Sequence, residues 1–140
     1  MNGGSPMDRC RTEFWTRLAA GSFAIQGCDN CGEFRFPPAD SCPRCGSVEG
    51  AWFEPTGPPK LIAWTVSHPG APGIPSRLAD WTPYALGVLG WDDVPGTLVP
   101  IRLEPKGPLF DADRLFAGAE VDLDLAAAAE HQLVGRTVTR

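Results

Sequence analysis

Cys10, Phe14 and Leu18 recur at every fourth position with Trp15 beside them. This period predicts an amphipathic helix over residues 8–20, about three turns long. Pro6 lies just ahead, Asp8 stands where a cap belongs, and Gly21 falls where a helix stops. A helix this short is marginal alone in water, so its apolar stripe must pack on its own domain or on another subunit. Beyond Gly21 the period shortens to two. Short strands are expected at 23–26, at Phe34-Arg35-Phe36 before the Pro37-Pro38 turn, and at 51–54. Residues 55–59, rich in element breakers, read as a linker.

The second half alternates strands and turns. Residues 60–67 place Leu61, Ala63 and Thr65 on one face and Ile62, Trp64 and Val66 on the other. Both faces are fairly apolar, which predicts a central strand buried on two sides. Residues 69–83 form a long proline-rich loop without a period. Strands follow at 84–89 and 97–103, joined by the turn Asp92-Asp93-Val94-Pro95-Gly96. A short helix is expected at 111–116, capped by Asp111 and ended by Gly118. Residues 120–125 alternate with Val121, Leu123 and Leu125 inward and Asp122 and Asp124 outward. The alanine-rich stretch 126–132 is ambiguous, and 133–139 reads as a last strand. Five strands with one short helix between the third and fourth is the element order of an OB-fold barrel, with an SH3-like barrel as competitor.

Composition narrows the function classes. Sixteen glycines and fifteen prolines, over a fifth of the 140 residues, argue against a helical bundle. Twelve Lys+Arg against seventeen Asp+Glu give a net charge of −5. Binding of nucleic acid by phosphate neutralisation needs a clustered positive surface, so that partner is disfavoured. The first thirty residues show no basic start followed by an apolar core, and no apolar run is long enough to cross a bilayer. The expectation is a cytoplasmic protein without membrane contact, whose cysteines are thiols or metal ligands.

Four of the five cysteines form Cys28-Asp-Asn-Cys31-Gly32 and Cys42-Pro-Arg-Cys45-Gly46. Two residues between sulfurs let both thiolates face one ion, and the trailing glycine can take the positive φ of such a turn. Two such knuckles supply a tetrahedral four-sulfur cage suited to Zn²⁺; iron fits the same cage by spacing alone. Four thiolates leave no open position for water, so Cys28, Cys31, Cys42 and Cys45 predict a structural ion. A dithiol redox motif and a pair of disulfides are the alternatives. Cys10 lies outside the set and reads as a small apolar residue of the helix stripe.

The order of parts resembles a known family. The carriers are Phe14-Trp15-Thr16-Arg17-Leu18-Ala19-Ala20-Gly21, the first Cys-x-x-Cys-Gly, Arg35-Phe36-Pro37-Pro38, Cys42-Pro-Arg-Cys45-Gly46-Ser47, Trp52, Ala63-Trp64-Thr65-Val66 and Pro83-Tyr84-Ala85-Leu86. They resemble the rubredoxin-like zinc-ribbon plus OB-fold proteins associated with acyl-CoA enzymes, long catalogued as a domain of unknown function. The likeness runs over about residues 14–125 and is most specific in the ribbon. It implies a mainly β fold: an N-terminal helix and tail (1–22), a rubredoxin-like zinc ribbon (23–55) and a five-stranded OB-fold barrel (56–140). It also implies a non-catalytic accessory subunit of a thiolase-fold acyl-CoA enzyme: an aldolase, thiolase or acyltransferase of steroid side-chain or polyketide-like metabolism. The partner would be thiolase-like or lipid-transfer-protein-like, in a hetero-oligomer, with the barrel near its CoA channel. Two departures stand out. Gly57-Pro58-Pro59-Lys60 replaces the Gly-Arg-Gly that often opens the first barrel strand, and the tail lacks the usual aromatic ending.

The residues themselves favour a scaffold. A nucleophile needs a base in reach and an orienting group, and the chain has two histidines and no glycine-framed serine. Asp92-Asp93 reads as a solvated hairpin tip. Asp111 and Asp113 open a helix, where negative charge offsets the dipole. His68, at a strand end beside Pro69, is the best lone acid–base candidate; a small enzyme using it is a third reading. Trp52 and Trp64 are expected in the core. Docking surfaces for a partner are expected at Phe14 and Trp15 on the helix and at Trp81 in the proline-rich loop, against the alternative that both fold back over the barrel. Lys60, Arg77, Arg102 and Lys106 are the candidates for contact with CoA. The competing class is a nucleic-acid-binding module, since ribbons and OB barrels both serve that use elsewhere.

Overall fold

The computed structural model describes residues 6–70, 72–76 and 81–138. The chain folds as two compact units. The first comprises Met1–Gly57, Trp91–Val99 and Leu125–Gln132; the second comprises Pro58–Gly90, Pro100–Asp124 and Leu133–Arg140.

In the first unit, helix α1 spans Pro6–Ala19. Its stripe is used as the period requires: Phe14 and Leu18 are each 2% exposed. The Phe14 ring meets Phe23 at 5.6 Å and Phe36 at 5.4 Å edge-on, the geometry aromatic quadrupoles favour. Gly21 stops the helix as expected. It takes φ 97°, and the Gly21 and Ser22 amides donate to Leu18 O and Arg17 O at 2.9 and 2.8 Å, a Schellman ending.

Three short strands follow: β1 Ile25–Cys28, β2 Phe34–Arg35 and β3 Gly50–Phe53, in the antiparallel order β2-β1-β3. Gly50 pairs with Cys28, and a Cβ on it would stand 2.8 Å from the Gly27 carbonyl oxygen. That neighbour is backbone and cannot swing away, so the close β1–β3 approach requires glycine. Gly50→Ala is expected to shift Cys28 and weaken metal retention at least tenfold, read as faster loss to a chromogenic chelator; an unchanged rate would contradict this.

The other segments of this unit return to the helix and ribbon. Trp91 is buried and stacks on Phe23 at 4.8 Å. Asp93 is no free hairpin tip: its Oδ2 accepts from the Thr56 amide at 2.7 Å and the Thr56 hydroxyl at 2.8 Å. Those two donors, the amide first, hold its carboxyl below the usual range. A depressed folded-state pKa contributes stability above the unfolded value near about 4 and loses it as pH falls through the folded one. Asp93→Asn is therefore expected to melt lower than wild type by a gap constant from pH 7 to about 5 and narrowing below. A gap that widened on acidification would contradict this assignment. The ambiguous alanine stretch is a 3-10 helix, Leu125–Glu130, with Ala128 buried. Leu125 opens it and is exposed, correcting its expected inward place.

The strands of the larger sheet are β4 Lys60–Ser67, β5 Tyr84–Trp91, β6 Val94–Glu104, β7 Val121–Leu123 and β8 Val134–Thr137, all of the second unit except Trp91 and residues 94–99. Their order is β4-β5-β6-β8-β7, with β6 and β8 parallel and the β4–β5 and β7–β8 pairs antiparallel. The edges β4 and β7 are not joined by a ladder. They meet at the Lys60–Glu120 bridge, with the Leu61 amide on Ala119 O and the Gly118 amide on Leu61 O, both at 2.8 Å. The expected OB order is present, but its edges are joined only by a short run of backbone bonds between residues 59–61 and 118–121, short of the ladder that would close a barrel.

This placement corrects the reading of β4. It is an edge strand; Leu61 is fully buried, while Ile62 is 50% exposed. A bulge between Leu61 and Ala63 resets the alternation that the sequence pattern carried straight through. The β5–β6 connection is also tighter than expected, a turn at Asp92-Asp93, and β6 resumes at Val94. Pro95 is tolerated there because β6 pairs with β8 only from Arg102 onward, so its missing N–H takes no bond from that ladder. The expected helix at 111–116 is one 3-10 turn, Ala112–Arg114, with the Asp111 carboxylate accepting from the Asp113 amide at 3.0 Å.

Candidate metal centre

Each knuckle is built the same way. In the first, the Cys28 amide donates to Glu33 O (2.8 Å) and the Gly32 amide to Cys28 O (3.0 Å); in the second, the Cys42 amide donates to Ser47 O and the Gly46 amide to Cys42 O, both 2.8 Å. Gly32 and Gly46 take φ 79° and 78°, the left-handed turn that glycine allows cheaply. Folding the knuckles together brings four sulfurs within 4.8 Å of one another. Cys28 and Cys45 are 3.6 Å apart, as are Cys31 and Cys42. A tetrahedron with Zn–S of about 2.3 Å has edges of about 3.8 Å, so the cage is close to the size such an ion needs. Cys28 and Cys42 are buried; Cys31 and Cys45 are exposed.

The polar surroundings prepare thiolates unevenly. Cys45 is brought down to about 6, first by the Asn30 amide, which donates to its sulfur at 3.5 Å, then by the Ser47 amide. Cys42 is lowered, chiefly by the Cys45 amide. At Cys31 the Glu33 amide pulls downward but is outweighed by burial and three neighbouring thiols, which push it up to about 12. Four thiols this close cannot all ionise without a cation among them, which is the electrostatic reason for a metal here. Asn30 is a participant that the spacing rule missed; its place between Cys28 and Cys31 is the available signal.

The other candidates are dispersed. Phe14 is core, so it offers no docking surface. Trp15 is half-buried and stacks flat on His131 at 5.2 Å. Trp52 is half-buried rather than core, with the Arg17 guanidinium 5.3 Å from its ring centre, and Trp64 is half-buried as well. Cys10 is half-buried and polar in its contacts, its sulfur meeting Ala39 O and the Gln26 amide, each at 3.5 Å. Arg102 and Lys106 come together on one partner, the half-buried Trp81 ring, at 4.7 and 4.0 Å from its centre. Lys60 opens β4, and Arg77 lies outside the described residues. His68 is exposed after β4. Among the described residues, no helix is long and apolar enough to cross a membrane.

The family described as ChsH2, rubredoxin-like zinc ribbon domain, matches residues 15–49. A DUF35 domain-containing scaffold protein of Pyrococcus furiosus is 30% identical over 105 residues, covering 74% of this chain and 72% of that protein. The chain belongs to the DUF35 family. Two solved structures share the fold of this DUF35 chain. One is an Ltp2-ChsH2(DUF35) aldolase, with TM-score 0.65, 24% identity and coverage of 94% of this chain and 96% of that one. The other is a DUF35 family protein of unknown function from Sulfolobus solfataricus, with TM-score 0.63, 13% identity and coverage of 94% and 93%. The DUF35 ribbon thus carries four cysteines arranged to bind a metal.

Proposed function

We propose that this DUF35 protein is a non-catalytic accessory subunit of a thiolase-fold acyl-CoA enzyme, with Zn²⁺ as its structural ion. The observation that carries the reading is the closed cage: Cys28, Cys31, Cys42 and Cys45 fill a tetrahedron and leave no coordination position for substrate. The ion would hold the two knuckles against each other and supply no bond-making chemistry. The chain's own part is then to present a rigid ribbon and an OB-type sheet to a partner. The relatives lend support, one being called a scaffold protein and another belonging to an aldolase assembly. The acyl substrate class, lipid or steroid-derived, follows from the partner rather than from this chain.

Contact with CoA, where the subunit makes it, is assigned to the Trp81, Arg102 and Lys106 cluster. Two cations on one indole place positive charge beside a flat surface, a combination suited to a phosphate-bearing ligand. Co-expression with a thiolase-like partner enzyme is expected to give one co-eluting complex. Two species that never co-elute would overturn the proposal. Within that complex, Lys106→Ala is expected to raise the KM for acyl-CoA several-fold with kcat unchanged; an unaltered KM would remove the cluster from the CoA path.

A further inference from the structure

We propose that the cleft between α1 and the ribbon is a binding site for a small organic carboxylate. Its floor is Arg35 on β2, only 7% exposed. The guanidinium donates from Nε to Gln26 Oε1 at 3.1 Å and from Nη2 to Ala39 O at 3.3 Å, while Nη1 is buried without a partner. Both acceptors are neutral. A guanidinium taken from water with no anion beside it is among the costlier things a fold can hold, and burial normally comes with a matching carboxylate or phosphate. No such anion is supplied by the described residues.

The cleft that reaches Arg35 has a volume of about 330 Å³, and Arg9, Glu13, Asp40, Ala51 and Trp52 are among its walls. Its two carboxylates are not Arg35's counter-ions. Glu13 is engaged by Arg17 at 2.9 Å, and Asp40 is exposed and makes no ion pair with Arg35. Those same carboxylates select the ligand. They oppose a multiply charged phosphate entering beside them, whereas one negative charge on a compact body is balanced by Arg35. Trp52, across Gln26 from Arg35 on the same sheet face, gives the wall an apolar portion for a short hydrocarbon tail. Gly50, whose absent Cβ would sit 3.4 Å from Nη2, keeps the guanidinium within reach of the cleft.

The test uses the full-length, metal-loaded chain and ¹H–¹⁵N spectra titrated with sodium butyrate, neutral butyramide and inorganic phosphate. Butyrate is expected to move the Gly50, Ala51 and Arg35 Nε signals saturably, with a Kd in the millimolar range. Butyramide and phosphate are expected to bind at least tenfold more weakly. Arg35→Gln should abolish the butyrate response. Because that change also breaks the ties to Gln26 and Ala39, Trp52→Ala serves as the second variant; it removes the apolar wall on the sheet face that carries Arg35 and should weaken butyrate at least tenfold. Absence of saturation by butyrate, equal binding of butyramide, or unchanged binding in Trp52→Ala would each overturn the proposal.

Discussion

Removal of the metal is expected to unfold the ribbon of residues 23–55. Binding of a structural ion by four thiolates contributes about 10–16 kcal/mol of apparent free energy. That equals or exceeds the about 5–15 kcal/mol by which a whole domain is ordinarily stable. The strands it organises are two to four residues long and could not bury enough surface to stand alone. A strong chelator at neutral pH should therefore cost the near-ultraviolet signal of Trp52 and open the ribbon to protease, and Cys42→Ser should do the same at once, since Cys42 is both ligand and buried. The ligands bind as thiolates, so retention strengthens as pH rises and is lost on acidification, as protons compete for sulfur. Cys45, held near 6, gives up its proton first, and Cys31, pushed to about 12, holds it longest until the ion displaces it. A chelated protein with unchanged spectrum and protease resistance would contradict this.

The second large effect is expected at Phe14. It is one of the largest fully buried side chains and touches the rings of Trp15, Phe23 and Phe36. Truncation to alanine removes those contacts and leaves a cavity that rigid aromatic neighbours cannot refill, so Phe14→Ala is expected to cost about 3–5 kcal/mol. Urea unfolding of the metal-loaded chain measures it. A loss below about 1 kcal/mol, with partner binding abolished instead, would return Phe14 to the docking surface that its structural position denies it.

What could be read from the sequence follows from how local the cause is. The helix stripe, the glycine stop at Gly21 and both cysteine knuckles are written in neighbouring residues, and each forms where the spacing puts it. The strands of the second half were visible too, because alternation over 60–67 and 97–103 is a local pattern. Their lateral order was not. β4 reads as a central strand because both its faces are apolar, yet it lies at an edge with Ile62 in solvent, and the bulge after Leu61 is invisible to a period count. Phe14 and Trp15 are adjacent in the chain, and nothing local says that one enters an aromatic cluster while the other stacks on His131, over a hundred positions away. The pairing of Arg102 and Lys106 on Trp81 and the burial of Arg35 without an anion are likewise tertiary facts.

The central claim is that four sulfurs close around one ion and leave the chain a scaffold. X-ray absorption at the metal edge, on freshly purified protein, tests this directly. The account predicts one ion per chain surrounded by four sulfurs at about 2.3 Å with no oxygen or nitrogen neighbour. A light-atom ligand in that shell, or no ion at all, would contradict it.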